Sequence, residues 1–486
     1  FFEPHISIGL NKVTITERPT ATSDGGQGEP VTWIRGDGLT LKAGPIPFFF
    51  WPGFEGTAET SPLLEVSTGW QRFKGLGIGT TWDFFALLGI EPPSEVAAKL
   101  VVDGYTERGP GTGLYLDLTG IAGVPGTGYL NAYGMYDFGG NDRTSGGKNV
   151  AIDPEVRGDI LGQYRMQLSP DLMLEGQLAY ISDQTWIAAW REDSYQKSFE
   201  YQTSMYLDWS PGNTSLSLLG KSQLNSFLSN GWQLASRPYF VEKLPEIKYD
   251  RVGDDLWQTA TWSSTYSFSR MKLNTTAGNP STLGVRRQAF ASSSETVDID
   301  TLYSDAGYNS DDIMRFHTRQ EVSLPISGEG WNVSPFIFGR FTGYMNGDVQ
   351  NYQANQDLSS DLDKYRIMGG GGVRADTKFV RIHNDAQSDL FDVNRVRHII
   401  EPNSTLWYGW DSLPNGAYPI YDQSIEGATG GTAAQVGLRQ VLQTQRGGPG
   451  NWSSVDFLEV DLGAVFNDTT DNFQRTDVLD AAGNYN

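Results

Sequence analysis

The chain has 486 residues, with 57 Gly, 14 Trp, 22 Tyr, 24 Phe, no Cys and a net charge of −22. No apolar run reaches the ~18 residues of a spanning helix, which excludes a helical membrane protein but not a membrane barrel, where only alternate residues face lipid. The acidic balance argues against nucleic acid as a partner and otherwise reads as a solvated surface, and the lack of Cys removes disulfides and thiolate metal sites. At ~150 residues per domain the length would suit about three soluble domains, unless one large barrel takes up most of it.

Residues 1–43 read as the end of a small β-domain: Lys12–Glu17 and Val31–Ile34 are short strands around a loop holding Gly25, Gly26 and Gly28. Nothing at Phe1 resembles a signal segment and Ala481–Asn486 is loop-like, so both natural termini are expected to lie beyond this sequence. From about residue 60 a period of two dominates. Phe199, Tyr201, Met205, Leu207 and Trp209 alternate with Glu200, Gln202, Ser204 and Asp208. We expect the first set to face lipid and the second a lumen, on one strand of about 11 residues. Ser169-Pro170-Asp171 and Ser210-Pro211-Gly212-Asn213 are hairpin signals on either side.

The polar stretches Asp137–Asp159, Asn279–Asp312 and Asn346–Lys364 read as long extracellular loops. Trp70, Trp82, Trp186, Trp190, Trp209, Trp232, Trp407 and Trp410 fall near strand ends and would form two interfacial girdles. The run Gly369-Gly370-Gly371-Gly372 has no Lys-Ser/Thr after it, so it is no phosphate loop; it gives curvature or room for side chains within a strand. Leu458, Val460, Leu462 and Phe466 alternate with Glu459, Asp461 and Gly463 in a last strand, expected at an open edge of an incomplete barrel of roughly 18 to 20 strands.

Two segments carry a resemblance. Leu41-Lys42-Ala43-Gly44-Pro45-Ile46-Pro47-Phe48-Phe49-Phe50-Trp51-Pro52 and, later, Arg397-His398-Ile399-Ile400-Glu401-Pro402 with Leu406-Trp407-Tyr408 occur in order with Leu244-Pro245-Glu246-Ile247, Tyr418–Asp422 and Gln435–Leu442. Together they resemble the LPS-assembly outer-membrane protein family (LptD, also called OstA). The first segment is similar to that family's junction between a periplasmic β-jelly roll and the first barrel strand, matched at Gly44, Pro47, Phe49 and Pro52; Phe50 stands where Tyr is usual. The second is similar to its Leu-Glu-Pro strand, with His398, Glu401, Pro402 and Tyr408.

The resemblance implies an all-β fold: a large antiparallel transmembrane β-barrel over 44–486, lacking its C-terminal strands, after the end of a jelly roll over 1–43. It implies a non-enzymatic translocon in the cell outer membrane that passes lipopolysaccharide, or a related glycolipid, to the surface. Implied partners are that lipid, outer-membrane lipids, an LptE-like lipoprotein plug and an LptA-like periplasmic bridge protein; no cofactor or metal is implied. The chain departs from relatives in lacking the cysteines that tie jelly roll to barrel, and Glu55, Glu59 and Glu65 stand where a basic cluster is common.

Proline offers a sheet no N–H. Pro45, Pro47, Pro52 and Pro62 would therefore weaken the first strands and leave a seam, or lateral gate, with the last strand; in a soluble sandwich they would simply block edges. Two other classes fit parts of the pattern: a porin-like or sugar-selective channel, and a Trp-rich all-β glycosidase. His5, His317, His383 and His398 are too scattered for a metal cluster, and no Gly-x-Ser-x-Gly elbow is present.

Overall fold

The structure, a computed structural model, describes residues 6–18, 31–43, 46–57, 62–143, 149–197, 199–227, 239–279, 296–305, 312–345, 365–413, 420–428, 430–448 and 450–468. Alternation of β-branched and polar residues puts β1 (Ile6–Gly9), β2 (Lys12–Arg18), β3 (Val31–Ala43) and β4 (Ile46–Thr57) in one small antiparallel sheet. β1 and β2 follow one another along β3, pairing with residues 40–43 and 31–37, and β4 runs along β3 from residue 33 to 43. The chain breaks between β1 and β2 opposite Gly38, whose φ of 68° suits glycine; a Cβ there would lie 2.2 Å from the Asn11 amide.

The barrel wall begins after this sheet. It comprises β5 (Leu63–Gln71), β6 (Gly75–Asp83), β7 (Val96–Tyr105), β8 (Gly109–Thr119) and β9 (Gly126–Asp137). Between β9 and β12 a separate hairpin stands out, β10 (Gly140–Arg143) with β11 (Asn149–Ile152). The wall continues through β12 (Glu155–Ser169), β13 (Leu172–Ile181), β14 (Thr203–Trp209), β15 (Thr214–Ser222), β16 (Tyr239–Leu256) and β17 (Ala260–Thr275). It is completed by β18 (Ile313–Ser323), β19 (Ile326–Gly328), β20 (Trp331–Met345), β21 (Tyr365–Thr377), β22 (Phe379–Ser388), β23 (Val393–Asp411), β24 (Gly431–Arg446) and β25 (Ser453–Asp468).

These nineteen strand segments form a closed ring in which β25 stands beside β5. Phe457–Phe466, expected at an open edge, lie on β25, which the ring order sets next to β5, but among the described residues no run of paired residues joins the two strands. The boundary near residue 43 also moves, because β4 pairs with β3 and the ring starts only at Leu63. Two strands are interrupted. β18 and β19 both run along β20 on either side of Leu324-Pro325, and β21 and β22 both run along β23 on either side of Lys378. Counted as continuous strands, the wall has seventeen.

The two rims differ. One carries the 84–95 connection and otherwise short turns, among them 170–171, 210–213, 257–259, 329–330 and 389–392. The other carries two tight turns near the start and then the long connections 138–154, 182–202, 223–238, 276–312, 346–364 and 412–430. In outer-membrane barrels the long loops face outside and the short turns the periplasm. Of the three stretches read as loops, Asn346–Lys364 falls wholly outside the described residues; Asp137–Asp159 contains the β10–β11 hairpin and the start of β12, and Asn279–Asp312 contains a short helix at Ile299–Asp305.

Register divides the wall into two faces. Met205, Leu207 and Trp209 share one face with Leu216 and Leu218 of β15, and Met205 is 59% exposed. Ile337, Ile367, Leu406, Tyr408 and Trp410 continue the exposed apolar face around the ring. The opposite face is polar and points inward. Trp70 and Trp410 lie on the outer face at the long-loop rim and Trp209 at the short-turn rim, as girdle residues should. Trp82, Trp186, Trp190 and Trp407 do not: Trp82 is covered by the small sheet, Trp186 and Trp190 sit on loop helices, and Trp407 faces the lumen. Trp232 lies outside the described residues.

The expectation for Phe199 and Tyr201 is corrected as well. The strand starts at Thr203, and Tyr201 is only 3% exposed, packed inside the barrel mouth. Gln177 Nε2 donates to the carbonyls of Glu200 (3.1 Å) and Gln202 (2.7 Å), drawing this segment off the wall. An aromatic ring gains as much from that core as from lipid, so alternation alone did not distinguish them.

The glycine run does provide room. A Cβ on Gly370 would stand 2.2 Å from the Tyr408 carbonyl and 2.9 Å from the Phe338 ring, and one on Gly372 would stand 2.8 Å from the Phe336 ring. These aromatic rings lie over bare backbone.

Candidate functional site

The mouth at the long-loop rim is filled by the loops themselves. Helices α2 (Trp186–Trp190), α3 (Glu192–Gln196) and α4 (Ile299–Asp305) turn inward, and Trp186, Ile187, Tyr195, Ile299, Leu302 and Tyr421 join inward-facing wall residues in one buried core. Short amphipathic turns with several large apolar residues are stable here only because the barrel interior supplies the other half of their core.

A buried ion network anchors this plug. Arg108 meets Asp137 (2.6 Å) and Asp142 (2.7 Å), and Arg157 meets Asp137 (2.8 Å), Asp142 (2.7 Å) and Asp183 (2.7 Å). Thr185 Oγ1 accepts from Arg157 and donates to Asp142. Burial alone would raise the Asp183 carboxyl, but hydrogen bonds and charge from Arg157 hold it below the usual carboxylate range. Next to it, Asp159 binds Arg191 and the indole N–H of Trp186, each at 2.8 Å. Lys74, in the β5–β6 turn, lies 4.2 Å from the centre of the Trp190 ring. Burial, helped by the charges of Arg191 and Arg108, lowers its ammonium to about 8.

A second clamp holds residues 420–428 inside the lumen. Asp422 and Glu426 point at the wall: Lys243 reaches Asp422 at 3.1 Å, and Arg315 and Tyr344 each reach Glu426 at 2.8 Å. Arg366 donates to the carbonyls of Ile425 (3.2 Å) and Glu426 (3.3 Å), Arg340 to that of Ser424 (3.0 Å), and the Tyr239 hydroxyl to that of Ile420 (2.9 Å). Burial opposes ionisation of Asp422, yet Lys243 and the Ser424 donors win and keep its carboxyl far below the ordinary range.

The seam between β25 and β5 is different in kind. Every consecutive wall pair from β5 round to β25 is antiparallel. With the wall counted as seventeen continuous strands among the described residues, β5 and β25 run in the same direction. Among the described residues no ladder of partners joins them, although β24 and β25 are paired along their whole lengths and β5 is paired with β6. Both seam strands are exposed on both faces, from Leu64 to Gln71 and, apart from Val455, from Ser453 to Asn467. Parallel pairing is slightly weaker per residue than antiparallel pairing.

The small sheet docks beside this seam. Leu39 and Trp51 pack on Trp82 of β6 and on Leu87 of helix α1 (Phe84–Leu88), and the Trp51 indole donates to the Leu87 carbonyl at 3.1 Å. Asp83 caps α1 through its carboxylate to the Ala86 N–H (2.9 Å).

The sequence-derived residues fall in three places. Gly44 and Pro45 lie outside the described residues. Pro47 faces Lys42 and Phe49 faces Leu41 across a register shift, and Pro52 falls between Trp51, which faces Leu39, and Gly53, which faces Asp37. All three belong to β4, not to the wall, so the expectation that Pro47 and Pro52 weaken the first wall strands is corrected. Pro62 is buried just before β5, and its carbonyl accepts the Asp83 N–H at 2.7 Å. On β23 the second motif is split between faces: Glu401 points inward to Lys378 (2.8 Å), whereas His398, Pro402 and Tyr408 share the outer face, His398 bonding Gln440 at 3.1 Å. The two clamps were not singled out from sequence. Their signal was there in Arg315, His317, Arg319 and Glu321, ionisable residues at every second position between Met314, Phe316, Thr318 and Gln320.

An antiparallel ring with an apolar outer face, aromatic residues at both rims and a polar interior defines a β-barrel of the outer-membrane type. No protein-family model matches the chain, and no curated protein does. Among solved structures it is similar to BamA from Haemophilus ducreyi lacking POTRA domains 1-3, at 8% identity and a TM-score of 0.18, over 94% of this chain and 76% of that one.

Proposed function

We propose that this protein is an outer-membrane translocon for a glycolipid of the lipopolysaccharide type, releasing the acyl chains sideways between β25 and β5. The observation that carries the reading is the seam: two neighbouring strands that run in the same direction, are exposed on both faces and share no run of paired residues among the described residues. The docked small sheet supports it, because Trp51 and Leu39 attach that sheet to β6, one strand from the seam. The loop-filled mouth weighs against the porin reading, since a diffusion pore needs an open lumen. The sequence resemblance adds the lipid's identity, and with it a lumenal lipoprotein and a periplasmic bridge protein as partners.

The test is a scan of cysteine pairs joining residues 66–70 to 458–464, made in the full-length protein in cells. Oxidation that locks the seam should reduce surface lipopolysaccharide and raise sensitivity to large antibiotics, and reduction should restore both. A locked, well-expressed barrel with normal surface lipopolysaccharide would end the reading.

A further inference from the structure

On the inner wall, Arg319 of β18 and Arg340 of β20 are direct cross-strand partners. Like charges in that position destabilise a sheet. Arg374 of β21 lies close by, and a single carboxylate, Glu321, serves the group: it meets Arg319 and, at 2.8 Å, Arg374. Arg340 instead donates to the Ser424 carbonyl, and among the described residues the buried Nε atoms of Arg319 and Arg340 have no partner. Two of these guanidiniums therefore share one carboxylate and the third meets only a carbonyl, in a chain whose net charge is −22.

The setting is aromatic. Arg374 lies 3.9 Å from the centre of the Phe336 ring, and Arg319 and Arg340 lie 5.9 Å and 6.0 Å from that of Phe338. Phe338 in turn meets Trp407 edge-on at 6.3 Å. Stacking on a ring fixes the guanidinium plane and leaves its N–H fork free for an oxyanion. Arg319 and Arg374 keep roughly a third and two-fifths of their side-chain surface open, so the fork is reachable from the lumen. The glycines Gly370 and Gly372 make the space in which Phe336 and Phe338 lie.

We infer that Arg319, Arg340 and Arg374, with Phe338 and Trp407, form a lumenal binding site for an anionic saccharide, a sugar bearing phosphate or carboxylate. The guanidiniums take the anion and the aromatic edge takes the sugar ring. The inference deepens the translocon reading by naming the chemistry that passes the lumen, but binding at this site does not depend on the seam.

The experiment measures binding by calorimetry to the detergent-solubilised full chain, with glucose 6-phosphate, glucuronate, inorganic phosphate and glucose as probes. Saturable binding of the two acidic sugars is expected, at least tenfold tighter than glucose and tighter than phosphate alone. R340Q should weaken it tenfold or more in a barrel that keeps its heat-modifiable gel mobility, and W407L should weaken the sugars more than phosphate. Equal binding of glucose, or undiminished binding in folded R340Q and R319Q, would overturn the site; phosphate binding as tightly as glucose 6-phosphate would overturn its saccharide half. A soluble short-chain phosphoglycolipid in a parallel arm identifies the source: tighter binding than the free sugar phosphate assigns the site to a lipid headgroup, and equal binding to free acidic sugars. Binding that survives the seam lock while lipid export stops leaves this site standing apart from the gate.

Discussion

Arg319 stands directly opposite Arg340 on the lumenal face of the β18–β20 ladder, with the Phe338 ring within 6.0 Å of each. A pair of this kind is kept at a cost to the sheet, about 0.2–1 kcal/mol on the scale of cross-strand pairs. R340Q should therefore leave stability unchanged or raise it by about that much, as read from urea unfolding in lipid vesicles. A loss above about 2 kcal/mol, the scale of a broken hydrogen-bonded ion pair, would show that Arg340 is a structural anchor for the Ser424 carbonyl first.

Arg157 is the opposite case. It sits buried between Asp137, Asp142 and Asp183, and removing it leaves Asp137 and Asp142 to Arg108 and takes from Asp183 the cation it pairs with. Breaking a buried ion pair on one side costs about 3–5 kcal/mol. R157M should keep the barrel but release the plug, with hydrogen exchange rising through 183–196. Unchanged protection there would mean the apolar core of Trp186 and Ile187 holds the plug unaided.

The glycine run gives a paired test. A Cβ at Gly370 meets the Tyr408 carbonyl at 2.2 Å, whereas one at Gly369 meets only the Phe338 carbonyl, at 3.8 Å. G370A should cost about 1–3 kcal/mol as an overpacked site, and G369A well under 1. Equal unfolding midpoints for the two variants would refute the close approach of β21 to β23.

Lys74 makes a pH-dependent prediction. Its ammonium is lowered to about 8 by burial, with Arg191 and Arg108 adding to it. The unfolded chain, near the ordinary lysine value of 10.5, then binds more protons than the folded one between about pH 8 and 10.5. Stability contributed at this site should rise with pH through that window, and K74M should remove the rise. Acylation of Lys74, followed by mass spectrometry, should reach half its limiting rate near pH 8; a midpoint near that of exposed lysines would contradict it.

Much of the wall was legible because alternation over eight or more residues permits one assignment of faces. Met205, Leu207 and Trp209 and the late set from Leu458 to Phe466 face outward as their pattern requires. Where two apolar environments exist, alternation could not choose, so Tyr201 and Trp186 went to the mouth core instead of lipid. Pro47 and Pro52 were legible as sheet-edge residues but not as members of β4, since strand partners are set by contacts far apart in sequence. The relative direction of β5 and β25 was not legible, because it depended on recognising interruptions at Pro325 and Lys378 within single strands.

The contact of Trp51 with Leu87 and Trp82 does more than attach one sheet to another. A cylinder has no natural front, and a flexible tether would let the small sheet swing to any bearing around it. Adjacent strands are about 4.8 Å apart, so anchoring at β6 fixes the sheet's bearing to within roughly 5–10 Å of the β25–β5 junction. Whatever the small sheet carries is thereby given a compass heading as well as a depth, and the circumference of the ring is reduced to one sector.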